Sequence, residues 1–92
     1  MIQSFADRDT EQLFHEERNR RFAAISRAGL RRLIQLNRAG ALADMAVPPG
    51  NRLEALRGAR RGFHSVRIND QWRIVFRWTE TGPTEVGIVD YH

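Results

Sequence analysis

Residues 72–78 read Trp72-Arg73-Ile74-Val75-Phe76-Arg77-Trp78, and their parity decides the architecture. At a period of two, Trp72, Ile74, Phe76 and Trp78 point to one face, while Arg73, Val75 and Arg77 point to the other. A face built of two tryptophans, a phenylalanine and an isoleucine has to be covered by another layer. The arginine-bearing side is then the exposed face of a sheet. The flanking stretches extend that sheet. Gly62–Asn69 places Phe63, Ser65 and Arg67 on one side and His64, Val66 and Ile68 on the other. Thr84–Tyr91 follows the turn residues Thr81-Gly82-Pro83, and Arg52–Arg57 forms a further run that ends at Gly58. The strand register, and with it the neighbours of Arg73, stays open at this level.

The cover comes from the N-terminal third. Ile2–Phe5 alternates as a short first strand. Asp9, with Gln12 three residues on, has capping-box spacing for a helix that carries Leu13 and Phe14 inward and ends near Glu17 or Arg18. A second helix is expected over Arg20–Arg38. At 100° per residue, Phe22, Ile25, Leu33 and Leu36 share a stripe that Leu30 and Ile34 widen. Arg20, Arg27, Arg31 and Arg38 fall on the opposite side. They read either as a solvated helix back or as a basic ridge for RNA, the ribosome or an acidic partner. Gly40 is the expected left-handed stop, followed by a loop over Ala41–Asn51 broken at Pro48-Pro49-Gly50. The expected fold is α+β, with two N-terminal helices packed on one face of a mainly antiparallel four- to five-stranded sheet. Residues 1–92 are read as a single domain.

Composition narrows the function. With 92 residues there is room for one modest core, and 41% hydrophobic with 28% charged residues is an ordinary globular balance. Cysteine is absent, which removes disulfides, thiolate nucleophiles and Cys-ligated metals and fits a reducing cytoplasm. No secretory leader or membrane-length apolar run is visible. The net charge is +4 and all 15 basic residues are arginine. The choice of arginine over lysine reads either as genomic base composition or as a selection for phosphate contacts, and base composition does not explain the positive sign. A basic, arginine-only chain points to a polyanion or an acidic protein as partner.

Most catalytic templates fail. There is no glycine-rich phosphate loop, no nucleophile elbow and no lysine. His15, His64 and His92 have no metal-ligand spacing, so neither a metal nor a cofactor is expected. The closing Val89-Asp90-Tyr91-His92 carries proton-handling groups directly after a strand. Cleavage of RNA by its own 2′-hydroxyl needs a base, an acid and cations on the phosphate. His92 titrates near neutrality, Tyr91 can donate a proton beside an arginine, and Arg73, Arg57 and Arg67 can hold the phosphate. Without more, the same tail also reads as a frayed terminus with a half-buried tyrosine.

The stretch from Arg52 to His92 resembles the C-terminal half of HigB-type toxins of the RelE/ParE superfamily. It contains Arg52-Leu53-x-x-Leu56-Arg57-Gly58, then Ser65-Val66-Arg67-Ile68-Asn69-Asp70-Gln71-Trp72-Arg73-Ile74-Val75-Phe76, and ends in Val89-Asp90-Tyr91-His92. The opening Met1-Ile2-Gln3-Ser4-Phe5 also matches the family's first strand. The resemblance implies a RelE-like fold and metal-free, ribosome-dependent cleavage of mRNA in the A site. It implies a HigA-like helix-turn-helix antitoxin as partner, with operator DNA bound only through that antitoxin and no membrane. Carried over, Arg73 would bind the scissile phosphate, Tyr91 and His92 would take part in proton transfer or substrate positioning, and Asp90 would orient a neighbour. Arg57 would stabilise the phosphorane, and Arg67, Arg77, Arg61 and Arg60 would track the RNA backbone. Two positions depart from the pattern: family members often have lysine at Arg57 and histidine at Glu54. Arginine is a poor proton donor, and Glu54 would set a negative charge near the RNA or else supply a base. Inhibition of DNA gyrase in the ParE manner, and a regulatory remnant of low activity, remain the alternative functions.

Overall fold

The computed structural model describes residues Met1–Tyr91. Within these residues the order is helix α1 (Arg8–Glu16), helix α2 (Ser26–Arg38) and strands β1 (Glu54–Ala55), β2 (Phe63–Arg67), β3 (Trp72–Thr79) and β4 (Gly82–Asp90). The strands form a sheet of order β1-β2-β3-β4 with every neighbouring pair antiparallel. The N-terminal segment adds to the free edge of β4 in parallel, through the bridge Phe5↔Val86. Gln3 N–H donates to the Pro83 carbonyl (2.8 Å), and Ala6 N–H donates to the Val86 carbonyl (2.8 Å). The α+β reading and the cover of one sheet face by two helices hold.

The helix that opens the cover is capped at Asp7, not Asp9. The Asp7 carboxylate accepts from Thr10 N–H at 2.7 Å, the N-cap pattern that satisfies one of the four unpaired donors of a first turn. Asp9 sits one residue inside the helix and faces Arg21 at 3.7 Å. The buried Thr10 hydroxyl donates to Asp7 (3.1 Å) and accepts from Ile88 N–H (3.0 Å), fastening α1 to β4. The second helix starts later than its apolar stripe, because Phe22 and Ile25 reach the core from a 3-10 turn, Ala23–Ile25. Asn19 causes the delay. Its side chain accepts from Phe22 N–H (3.2 Å) and donates to Asp9 (3.0 Å) and Gln12 (2.7 Å), holding the chain in a turn rather than a helix. At the other end Gly40 is not a left-handed cap. Ala39 turns out extended, and Gly40 and Ala41 N–H both donate to the Asp44 carboxylate.

Leu13, Phe22, Leu33, Leu36, Met45, Val66, Ile74 and Phe76 are fully buried where the helices meet the sheet. Trp72 packs edge-on against Phe22, with ring centroids 5.5 Å apart. Three strand expectations need correction. Ile2–Phe5 is not a strand, because its pairing with β4 is limited to the isolated bridge at Phe5. The run Arg52–Arg57 contributes only Glu54–Ala55, because Arg52 is left-handed (φ 47°) and Gly58 turns the chain away (φ 64°). Just before it, buried Asn51 donates to the carbonyls of Met45 (3.0 Å) and Val47 (3.2 Å), which ties down the preceding loop. The β3–β4 turn is only Glu80-Thr81, and Gly82-Pro83 already belong to β4. Gly82 has φ 126°, and a Cβ there would lie 2.5 Å from the Met1 carbonyl oxygen, so glycine is required.

Candidate functional site

The face of the sheet away from the helices carries the candidate chemistry. Register pairs Arg67 with Arg73, Ser65 with Val75 and Phe63 with Arg77, pairs Arg73 with Val89, and pairs Glu54 with Ser65. The neighbours that parity alone left open are therefore Arg67 on one side of Arg73 and Val89 on the other. The β2–β3 turn sets this register. Asn69 Oδ1 accepts from Gln71 N–H (2.9 Å) and Trp72 N–H (2.8 Å), an Asx-type closure.

Arg73 is not the exposed residue that its face suggested: only 8% of it is accessible. It sits mid-sheet and β1 with the loop before it folds over its tip. Nε donates to the buried Ser65 hydroxyl at 2.9 Å. Nη2 donates to the Arg52 carbonyl at 2.6 Å and, more weakly, to the Ser65 carbonyl at 3.5 Å. Nη1 faces Glu54, whose Oε1 lies 3.9 Å away. One face of the guanidinium lies against Tyr91, with Cζ 5.4 Å from the ring centroid, a cation–π distance. Tyr91 is placed there by its own N–H, which donates to the Gln71 carbonyl (2.6 Å) and continues the β3–β4 ladder past its formal end. Tyr91 as a residue remains 40% exposed.

The other sequence-predicted residues are spread over the same face and its rim. Arg67 forms an ion pair with Asp70. Arg77 lies over the Phe63 ring (4.7 Å) and 3.6 Å from Glu85. It is four residues from Arg73 along one strand, so about 13 Å away. Arg57 precedes the 3-10 turn Gly58–Arg60 without a side-chain capping bond, and Arg57, Arg60 and Arg61 are all exposed. Among the described residues these three carry no ion pair. Arg60 reaches a shallow cavity of about 320 Å³ floored by Phe63, Val75, Gly87 and Val89. Asp90 accepts from the Gln71 side-chain amide at 3.2 Å and pairs in register with Trp72. His92 lies outside the described residues.

A guanidinium fixed by two backbone carbonyls and a buried hydroxyl is pre-organised: it holds one position before any ligand arrives. Sequence reasoning named Arg73 but not its anchors. The signal was present, since a short Asn-initiated turn sets Ser65 one step along the neighbouring strand on the same face. The Arg52 carbonyl had no sequence signal, because it depends on a single left-handed residue.

Residues 3–92 match the family model described as the RelE-like toxin of type II toxin–antitoxin system HigB. The chain is a HigB-like toxin of the RelE superfamily. It is 37% identical over 82 residues to Toxin HigB-1 of Vibrio cholerae, covering 87% of this chain and 86% of that one. A chain of the YoeB–YefM complex from Staphylococcus aureus superposes with a TM-score of 0.57 at 14% identity, covering 100% of this toxin and 98% of that chain. At that identity the likeness is one of fold. This HigB-like toxin thus belongs to a type II toxin–antitoxin system and keeps the family's sheet, with Arg73 at its centre. Among the described residues no helix is long and apolar enough to cross a membrane.

Proposed function

We propose that this toxin is a ribosome-dependent mRNA endonuclease that cuts in the A site and so arrests translation and growth. The observation that carries the reading is Arg73, an anchored guanidinium on an otherwise open sheet face, with one nitrogen unanchored and Tyr91 against its plane. The reaction is metal-independent. A base takes the proton of the ribose 2′-hydroxyl, the oxyanion attacks phosphorus, and the P–O5′ bond breaks as an acid protonates the 5′-oxygen. The products are a 2′,3′-cyclic phosphate and a 5′-hydroxyl. Arg73 neutralises the charge that builds on the non-bridging oxygens, with Arg57 as a second cation. Tyr91 and His92 carry the protons, and Asp90 orients its neighbours. Arg67, Arg77, Arg60 and Arg61 hold flanking phosphates, so RNA affinity falls steeply with salt.

The family and the structural neighbour, which is itself part of a two-protein complex, support an antitoxin partner. It is a HigA-like helix-turn-helix antitoxin, through which the toxin meets operator DNA, and the toxin works in the cytoplasm where the ribosomes are. The test is primer extension on a defined mRNA in translating ribosomes, comparing the intact toxin with one lacking Tyr91 and His92. Cuts within the A-site codon that vanish with the tail support the reading. Absence of cuts by the intact toxin overturns it in favour of gyrase inhibition or a regulatory role.

A further inference from the structure

We infer that Glu54 is a built-in competitor for the scissile phosphate, occupying the one nitrogen of Arg73 that the fold leaves unanchored. The inference rests on the RNA-binding reading above and adds a residue that sets how tightly RNA is held. Three observations combine. Nε and Nη2 of Arg73 are committed to Ser65 and Arg52, whereas Nη1 makes no hydrogen bond among the described residues. The Glu54 carboxylate faces that nitrogen at 3.9 Å, inside ion-pair range and beyond hydrogen-bond range. The two side chains differ sharply in freedom: that of Arg73 is 9% exposed and that of Glu54 is 52% exposed.

The guanidinium therefore cannot move to meet a ligand, but Glu54 can move away. It stands on a two-residue edge strand, paired on one side only, to β2. A carboxylate and a phosphate oxygen seek the same nitrogen, and the two anions repel each other there. With Tyr91 over the plane and Ser65 and Arg52 on the other edges, approach through Nη1 is the route left to a phosphate. Each binding event thus works against an ion pair, and the carboxylate stays near the RNA backbone. The competition lowers affinity for loose polyanions by a small factor, which a substrate positioned by many other contacts overcomes.

The test uses a fully 2′-O-methylated single-stranded oligoribonucleotide, which lacks the nucleophile, with affinity read by fluorescence anisotropy at fixed salt. Glu54→Gln is expected to tighten binding about two- to fivefold, the scale of an exposed ion pair. Glu11→Gln, the same charge change on exposed α1, leaves affinity unchanged. In an Arg73→Gln background the gain from Glu54→Gln disappears. Should Arg73→Gln fail to fold, the Arg73 Nε resonance is followed while inorganic phosphate is titrated. It should move at lower phosphate in Glu54→Gln than in the parent toxin. Equal affinity of parent and Glu54→Gln overturns the competitor role while the RNA reading stands. So does an equal gain from Glu11→Gln, or a fall in kcat without tighter binding, which would mark Glu54 as a base. Absence of oligonucleotide binding by either protein overturns the competitor alone, because the ribosome-dependent reading is decided separately by the primer-extension cuts.

Discussion

Ser65→Ala removes a single oxygen, and the structure gives the size of the effect. The Ser65 hydroxyl is fully buried and accepts from Arg73 Nε at 2.9 Å. Its loss strands a charged donor in a place that water does not reach. A hydrogen bond to a charged group contributes about 1.5–3 kcal/mol, and the 9% side-chain exposure of Arg73 leaves little solvent screening to discount it. Two holds remain, both on Nη2: the short bond to the Arg52 carbonyl and the long one to the Ser65 carbonyl. A loss of about 1.5–2 kcal/mol is therefore expected. For a domain of this size that lowers Tm by roughly 6–16 °C, at about 4–8 °C per kcal/mol. The same change lets the guanidinium swing about its remaining anchor, so cleavage should fall more than stability explains, by about tenfold or more below the melting range. Urea unfolding with a fixed m-value measures the first quantity, and single-turnover cleavage on programmed ribosomes measures the second. A stability loss below about 0.5 kcal/mol with unchanged cleavage would refute the claim that Ser65 anchors Arg73, since one missing atom would have neither energetic nor positional consequence.

Three further outcomes follow from other contacts. Asp7→Ala should destabilise by about 1–2 kcal/mol in urea melts, because it removes the α1 cap and a partner of the Thr10 hydroxyl; Asp9→Ala should cost clearly less, and the reverse order would restore the original cap assignment. Gly87→Ala places a methyl 3.1 Å from both Ala6 Cβ and Asp7 Oδ2. It should loosen the N-terminal segment, lowering stability by about 1–3 kcal/mol and raising hydrogen exchange at Ala6 N–H; unchanged exchange there argues against the contact. The Arg32 pKa is lowered by burial first and then by the nearby charges of Arg31 and Arg67. That sign means the charged form is disfavoured by folding at every pH below the folded pKa, and only the share owed to Arg31 and Arg67 is open to screening. Arg31→Gln should therefore raise Tm more at about 50 mM than at about 500 mM salt, and an equal change at both removes the repulsion from consideration.

The layer arrangement was legible because one heptapeptide carried it: the alternation of Trp72–Trp78 left no choice of buried face. The helix stripe on α2 was legible for the same reason. Boundaries were not, because side chains outside the periodic pattern decide them. Asn19 delays α2, Asp44 ends it, and Asp7 rather than Asp9 begins α1. At the candidate site, residue types were readable but exposure was not. Parity put Arg73 on the open face correctly, yet a left-handed Arg52 brings a carbonyl over it and buries it. Burial of that kind depends on a loop crossing between layers, which no periodicity encodes.

The parallel pairing of the N-terminal segment with β4 also fixes an order in time. The bonds from Ser4 to Thr84 and from Ile88 to Thr10 close loops of 80 and 78 residues, so the N-terminal edge pairing and the seat of α1 wait for residues near 83–88. Contacts this distant form late and slowly. On a translating ribosome, residues 3–10 leave the exit tunnel long before their partners are made. The sheet that carries Arg73 is therefore completed only after β4 has emerged.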